Sequence, residues 1–252
     1  SRPTLLTNNY LEIADCIEDA SIPCAALMVE RLKEALEERP FATLAISGGS
    51  TPAKLFPILA AAPLPWERIH VFFADERMVP PEHEASNYRM ARTLLLDPCG
   101  IPASNVPRIQ GESDPEDAAG LYEEQIAEFF GLDADENDIP SFDVLHLGMG
   151  SDAHTASLFP GEPAIDNLDD LCTAVYVEKL DMWRVTLLPV VLQAARCTVF
   201  LAAGRDKAEP LRRVLSDPYD PRRLPAQLVR HNLEVRWFLD RAAAARTSPS
   251  KQ

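Results

Sequence analysis

The sequence predicts an α/β fold with a mostly parallel sheet covered by helices on both faces. Two observations carry this. Short apolar, β-prone runs alternate with helical patterns along nearly the whole chain, which is the order a parallel sheet with helical crossovers requires. Several of those runs end in turns rich in glycine, hydroxyl or charged residues. In open α/β sheets the carboxyl ends of the strands are where ligands bind.

The elements follow in order. Ser21-Ile22-Pro23 opens the first helical pattern. Ser21 can cap, Pro23 suits a first turn, and Leu27, Leu32, Ala35 and Leu36 repeat at helical spacing as far as Pro40. Ala42 to Ile46 reads as a buried strand, Pro52 to Ala61 as a helix, Ile69 to Ala74 as a second strand and Tyr88 to Leu96 as a helix. Asp114-Pro115-Glu116 begins a helix that runs to about Phe130, and the acidic stretch Leu132 to Pro140 is a loop. Phe142 to Leu147 and Leu171 to Val177 are strands. Thr186 to Ala194 reads as a helix with Pro189 in its first turn. Cys197 to Ala203 is a strand, Lys207 to Leu215 a helix and Leu233 to Leu239 the last strand. No internal repeat or linker interrupts residues 1–246, which are read as one domain, and the polar tail 247–252 is read as disordered.

Composition narrows the function. The 252 residues suit one large α/β domain, and 46% hydrophobic with 25% charged residues is ordinary for a globular protein. No apolar run approaches the ~20 residues that span a bilayer, and no basic segment precedes an apolar one at the start, so neither a membrane span nor a secretory signal is expected. The five cysteines are odd in number and widely spaced, without Cys-x-x-Cys. That pattern fits free thiols in a reducing cytoplasm better than disulfides or a zinc site. The net charge of −15 disfavours nucleic acid or an anionic membrane as partner. An anionic small substrate would then need a local cluster of cations and amide donors.

Five segments carry chemistry. Gly148-Met149-Gly150-Ser151-Asp152-Ala153-His154-Thr155 follows a strand. Its glycines permit a sharp turn, and it sets an acid and a histidine two residues apart at the sheet edge. Ser47-Gly48-Gly49-Ser50-Thr51-Pro52 follows another strand and opens a helix, a phosphate cradle of amides and hydroxyls without a Walker lysine. Asp75-Glu76-Arg77 places two acids and a guanidinium at the same edge, with Ser86-Asn87-Tyr88 beyond as a helix cap. Trp183-Arg184-Val185-Thr186 before a helix and Gly204-Arg205-Asp206-Lys207 after a strand supply further cations. Each alone is commonplace as a capped turn or solvated charge. Their convergence on one edge is not.

In this combination and order, spanning residues from about 40 to 210, the chain resembles the 6-phosphogluconolactonases. The segment closing the histidine motif, Thr155-Ala156-Ser157-Leu158-Phe159-Pro160, and the run Arg184-Val185-Thr186-Leu187 belong to the same pattern. The resemblance implies a three-layer αβα fold shared with glucosamine-6-phosphate deaminases. It also implies hydrolysis of 6-phosphoglucono-δ-lactone to 6-phosphogluconate in the pentose phosphate pathway, with neither metal nor organic cofactor. Ala153 stands where the family usually has glycine, and a methyl group there is expected to fit only if the backbone avoids a glycine-only conformation.

On that reading His154 is the base toward water and then the acid toward the leaving oxygen, Asp152 orients it, and Arg77 neutralises developing or bound negative charge. Gly48, Gly49, Ser50, Thr51, Arg184 and Lys207 bind the phosphate, and Asp75 belongs to the binding set. The expected partner is the phosphorylated sugar lactone alone, with the protein a monomer or weak homodimer. Gly-x-Ser-x-Gly is absent, which disfavours a serine nucleophile. Two alternatives stay open: a deaminating isomerase of the same fold, and a non-catalytic sugar-phosphate sensor. The deaminase pattern continues from Asp-x-His into Asn-Glu-Pro, whereas this chain has Leu158-Phe159-Pro160. A sensor would be expected to carry a DNA-binding or partner-binding extension.

Overall fold

The structure, a computed structural model, describes residues 8–132 and 138–247. The chain runs through β1 (Asn9–Ala14), α1 (Ile17–Glu38), β2 (Ala42–Ile46), α2 (Pro52–Ala60), β3 (Ile69–Phe73), β4 (Asp75–Arg77), α3 (Asn87–Ala91), α4 (Asp97–Cys99) and α5 (Pro115–Phe130). It continues through β5 (Val144–Leu147), β6 (Cys172–Val177), β7 (Met182–Leu187), α6 (Pro189–Gln193), β8 (Cys197–Ala202), α7 (Ala208–Ser216) and β9 (Val235–Asp240). A six-stranded sheet has the order β1-β9-β8-β5-β2-β3, every pair parallel. Helices flank it, with α1 lying along β8, β9 and β2 beside α2. The α/β expectation with a parallel sheet is met, and the central strands β2, β5 and β8 are buried at every position, as continuous apolar runs in a doubly covered sheet should be.

A second, three-stranded antiparallel sheet, β4-β7-β6, packs against α5. It is not foreseen by the sequence reading, and it corrects one element. The stretch read as a helix from Thr186 is the end of strand β7, and the helix begins only at Pro189. Arg184 therefore sits within a strand and not at a loop-to-helix junction. The alternation Arg184, Thr186 against Val185, Leu187 was legible as a strand, but β7 gains its ladder from β6 and β4, ten residues and more than a hundred away in sequence. Such pairing overrides a local helical reading.

Two smaller differences have local causes. α1 starts at Ile17, so Ser21 lies inside it and its hydroxyl donates back to the Ile17 carbonyl at 2.7 Å in place of capping. Pro23 lies inside the helix as well. The helix read from Tyr88 to Leu96 is α3 followed by a wider π turn, Arg92–Leu96, leading into α4, where Pro98 has no amide to donate into the preceding turn. The strand β1 was missed, since its alternately exposed residues carry little apolar signal. The acidic loop is described only at 132 and 138–140, and residues 248–252 of the tail lie outside the described residues. Among the described residues no helix is long and apolar enough to cross a membrane, and all five cysteines are unpaired.

Candidate active site

In the large sheet β2 has β3 on one side and β5 on the other. Chain connections diverge there, so the carboxyl ends of β2 and β5 open a crevice. The turn after β2 forms one wall. Gly49 takes φ +119°, a conformation that side chains rarely adopt, and the Asn87 side chain fills the space that a Cβ on Gly48 would need. Among the described residues the amides of Gly49, Ser50 and Thr51 donate no hydrogen bond. They are left open at the N-terminus of α2, where the helix dipole favours an anion. The Thr51 hydroxyl donates to the Leu201 carbonyl at 3.2 Å, so its hydrogen serves the scaffold and its amide remains available.

The small sheet forms the opposite wall. β4 and β7 pair antiparallel with Asp75 opposite Thr186 and Arg77 opposite Arg184. Like charges directly opposed on neighbouring strands repel, and this pair is further desolvated, Arg184 being only 7% exposed. Burial lowers the Arg184 pKa, with the nearby Asp75 carboxylate acting the other way. Asp75 lies 4.0 Å from Arg184 Nη1, but its carboxylate is already engaged by the Ser157 hydroxyl at 2.7 Å and more distantly by the Asn87 amide at 3.4 Å. Nε of both Arg77 and Arg184 is buried without a partner among the described residues. Two guanidiniums with unspent donors face a shared cleft, which is the local positive pocket that a chain of net charge −15 needs to hold an anion.

Glu76, between these residues, points into the scaffold. It accepts from the amides of Arg77, Asn87 and Tyr88, each at 2.8 Å, and from the Ser86 hydroxyl at 3.2 Å. Burial pushes its pKa up to about 7 against the pull of the three amides. It fastens α3 to β4, and Ser86 also caps α3 through the Arg89 amide, as read from the sequence.

From β5, Gly148-Met149-Gly150 leads to the histidine. His154 Nδ1 lies 2.6 Å from Asp152 Oδ1, which also accepts the His154 amide at 3.0 Å. The His154 ring stacks on Phe159, with centroids 4.2 Å apart and planes at 26°. Nδ1 is thereby committed to Asp152, and Nε2 is left as the working nitrogen. Burial opposes charge on Asp152, but hydrogen bonds from the His154 ring, Lys179 and the His154 amide outweigh it and hold the carboxyl well below the usual range. A Cβ on Gly150 would collide with the His154 ring and press on Asp152, so it could be accommodated only if that ring moved away.

The cleft thus gathers Gly48, Gly49, Ser50, Thr51, Asp75, Arg77, His154, Arg184 and Lys207 from five separate segments, together with Asn87. Asp152 stands behind His154 and does not line it. Lys207 enters beside α7, 3.4 Å from the exposed Asp206, a pairing worth little in water. The sequence reading missed three contributors. Lys179, at the tip of the β6–β7 hairpin, pairs with Asp152 and lies 5.0 Å over the Phe159 ring. Phe159 is a platform shared by His154, Lys179 and Arg184, whose Cζ is 5.5 Å from its centroid. Asn87 is more than part of a cap. Only the hairpin topology marks Lys179, so no local signal could have found it.

Comparison with known proteins gives the family. Residues 18–237 match the family of glucosamine-6-phosphate isomerases and 6-phosphogluconolactonase. The 6-phosphogluconolactonase of Synechocystis sp. is 41% identical over 220 residues, covering 87% of this chain and 90% of that one. The chain belongs to the 6-phosphogluconolactonase family. The solved 6-phosphogluconolactonase of Trypanosoma cruzi is similar over 99% of this chain and 100% of its own, with a TM-score of 0.86 at 27% identity. A monomeric glucosamine-6-phosphate deaminase shares the fold over 94% of this chain and 99% of its own, at TM-score 0.78 and 19% identity. At Ala153, where the family usually has glycine, φ is +67°, in the left-handed region that favours glycine but is open to an L-residue. The cost for an L-residue is about 1–2 kcal/mol. Its amide donates to the Gly150 carbonyl and its carbonyl accepts from the Ala226 amide, both at 2.9 Å, and these bonds hold the turn that presents His154.

Proposed function

We infer that this chain is a lactone hydrolase that opens 6-phosphoglucono-δ-lactone with water in the pentose phosphate pathway. The observation that carries the reading is His154, held at Nδ1 by Asp152 and stacked on Phe159, in a cleft lined by Arg77, Arg184, Lys207 and an open helix N-terminus. His154 Nε2 takes a proton from water as the water oxygen attacks the C1 carbonyl. The oxyanion that forms is stabilised by guanidinium charge, Arg77 being the candidate donor. The ring C–O bond then breaks, and the proton held on His154 passes to the departing ring oxygen. The product acid ionises in water, so atoms and protons balance.

The amides of Gly49, Ser50 and Thr51, with Gly48 keeping the turn close to Asn87, bind the phosphate together with Lys207 and Arg184. Asp75 sets the orientation of Arg184 and Ser157 beside it. Every proposed site residue lies in one chain, residues 1–246 work as one unit, and the protein is a monomer or weak homodimer. The five unpaired thiols fit a reducing cytoplasm. The test is fresh 6-phosphoglucono-δ-lactone, corrected for spontaneous hydrolysis, with glucosamine 6-phosphate in parallel. Turnover of the lactone and none of the amino sugar is expected; the reverse would overturn the reading.

Two further results are expected. Lys207→Ala should lower kcat/KM for the phosphorylated lactone about 10- to 100-fold, the worth of a charge-assisted contact of roughly 1.5–3 kcal/mol. It should scarcely change the slow hydrolysis of unphosphorylated gluconolactone, which has no phosphate to lose. Equal proportional losses on both substrates would move Lys207 to the chemical step or the fold. Among the described residues no three His, Cys, Asp or Glu side chains group to hold an ion. Activity should therefore survive exhaustive EDTA treatment, and loss restored by one divalent ion would sink the water-and-histidine mechanism.

A further inference from the structure

Beneath the cradle lies a polar side chain that the hydrolysis does not use. His146, on β5, is fully buried, and its Nε2 has no hydrogen-bond partner among the described residues. Burial pushes its pKa down to about 4, so the ring is neutral at neutral pH. A neutral imidazole has one donor and one acceptor nitrogen. Nδ1 lies 3.2 Å from the Ser47 amide, and an amide N–H can only donate. Nδ1 is therefore the acceptor, and Nε2 carries the hydrogen. Ser47 returns a second bond, its hydroxyl donating to the His146 carbonyl at 2.9 Å.

The placement of these two bonds gives them a purpose. The ladder between β2 and β5 pairs Leu44 with Val144 and Ala45 with Leu145, and goes no further. Ser47 is the last residue before Gly48-Gly49-Ser50-Thr51, whose open amides have no bonds of their own to shape them. His146 takes over where the ladder ends and pins the start of the cradle. Phe56 of α2 meets the same ring edge-on at 6.1 Å, so loop and helix are referenced to one imidazole. A buried N–H without a partner costs stability. A leucine would fill a similar space without that cost, so packing alone gives no reason for a histidine here.

We propose that His146 is a positioning residue for phosphate recognition: its neutral ring holds the Ser47 amide and so fixes the amides of Gly49, Ser50 and Thr51 at the spacing a phosphate dianion requires. The proposal rests on the cradle being the phosphate site. His146→Leu removes the acceptor, and His146→Asn replaces it with an amide oxygen at similar reach. Kinetics on phosphorylated and unphosphorylated lactone, with inorganic phosphate as competitive inhibitor, read the effect. His146→Leu should raise KM and the phosphate inhibition constant about 3- to 10-fold, the range of one neutral hydrogen bond, and leave kcat close to wild type. His146→Asn should recover most of that loss. Unchanged KM in His146→Leu, or equal losses on both lactones, would overturn the proposal. If the leucine variant does not fold, nitrogen-15 spectra of histidine-labelled wild-type protein at pH 7 decide. The Nε2–H tautomer at His146 supports it, and an Nδ1–H tautomer or a charged ring overturns it. Lys207→Ala separates the two readings: if it weakens phosphate affinity while His146→Leu does not, only the role of His146 fails, whereas if neither variant weakens it, the cradle assignment fails with it.

Discussion

Replacing His154 with alanine is expected to lower kcat on 6-phosphoglucono-δ-lactone by about 100-fold or more, the usual scale for losing a general acid/base. KM should change far less, because on the proposed assignment the phosphate is held by the cradle and Lys207 and not by the ring. The fold should survive. His154 is a part-exposed side chain at the end of β5, and its main contacts are Asp152 and Phe159, neither of which holds the sheet together. The deciding measurement is kcat and KM with spontaneous hydrolysis subtracted, beside a circular dichroism melt. A folded His154→Ala protein with near-wild-type turnover would remove His154 from the chemistry and leave the cleft as a binding site.

The second large effect is expected at a residue with no chemistry of its own. Gly150→Ala puts a methyl group where the imidazole of His154 now lies. The backbone at Gly150 has no positive φ, so the glycine is required by close approach and not by conformation. What the methyl group meets is a side-chain ring, which can swing away while the backbone stays. Gly150→Ala should therefore fold and bind phosphate, yet lose kcat by a factor approaching that of His154→Ala, since the ring would leave Asp152 and the cleft together. Histidine-ring chemical shifts would show the displacement directly. Wild-type kcat in Gly150→Ala would mean that the ring position seen here is not the working one.

The two variants show how differently the parts of this site can be read from the chain. His154 and Asp152 are two residues apart, so their pairing needs only a local turn, and the motif announced it. The cradle is equally local, being a strand, two glycines and a helix start. Gly150, in contrast, could be read only as a turn glycine, because its real constraint is a ring four residues on that folds back over it. Arg77 and Arg184 were both legible as cations near the site, but nothing in the sequence set them opposite each other. That required the antiparallel β4–β7 pairing between segments more than a hundred residues apart.

Neighbouring residues were enough to reveal the parallel α/β scaffold and the family, and to suggest the proposed catalytic pair and phosphate cradle. Hydrophobic periodicity and short strand-end motifs are properties of neighbouring residues, and neighbouring residues are all that such signals require. The second sheet, the facing guanidiniums, the Lys179 contact to Asp152, the left-handed Ala153 and the buried His146 under the proposed cradle emerge only in the folded molecule. Each of these arises where distant segments meet, and there the energy is set by which desolvated donor finds which acceptor. A buried histidine in an apolar strand reads locally as one polar residue in a hydrophobic run; only the Ser47 amide against its Nδ1 gives it a role.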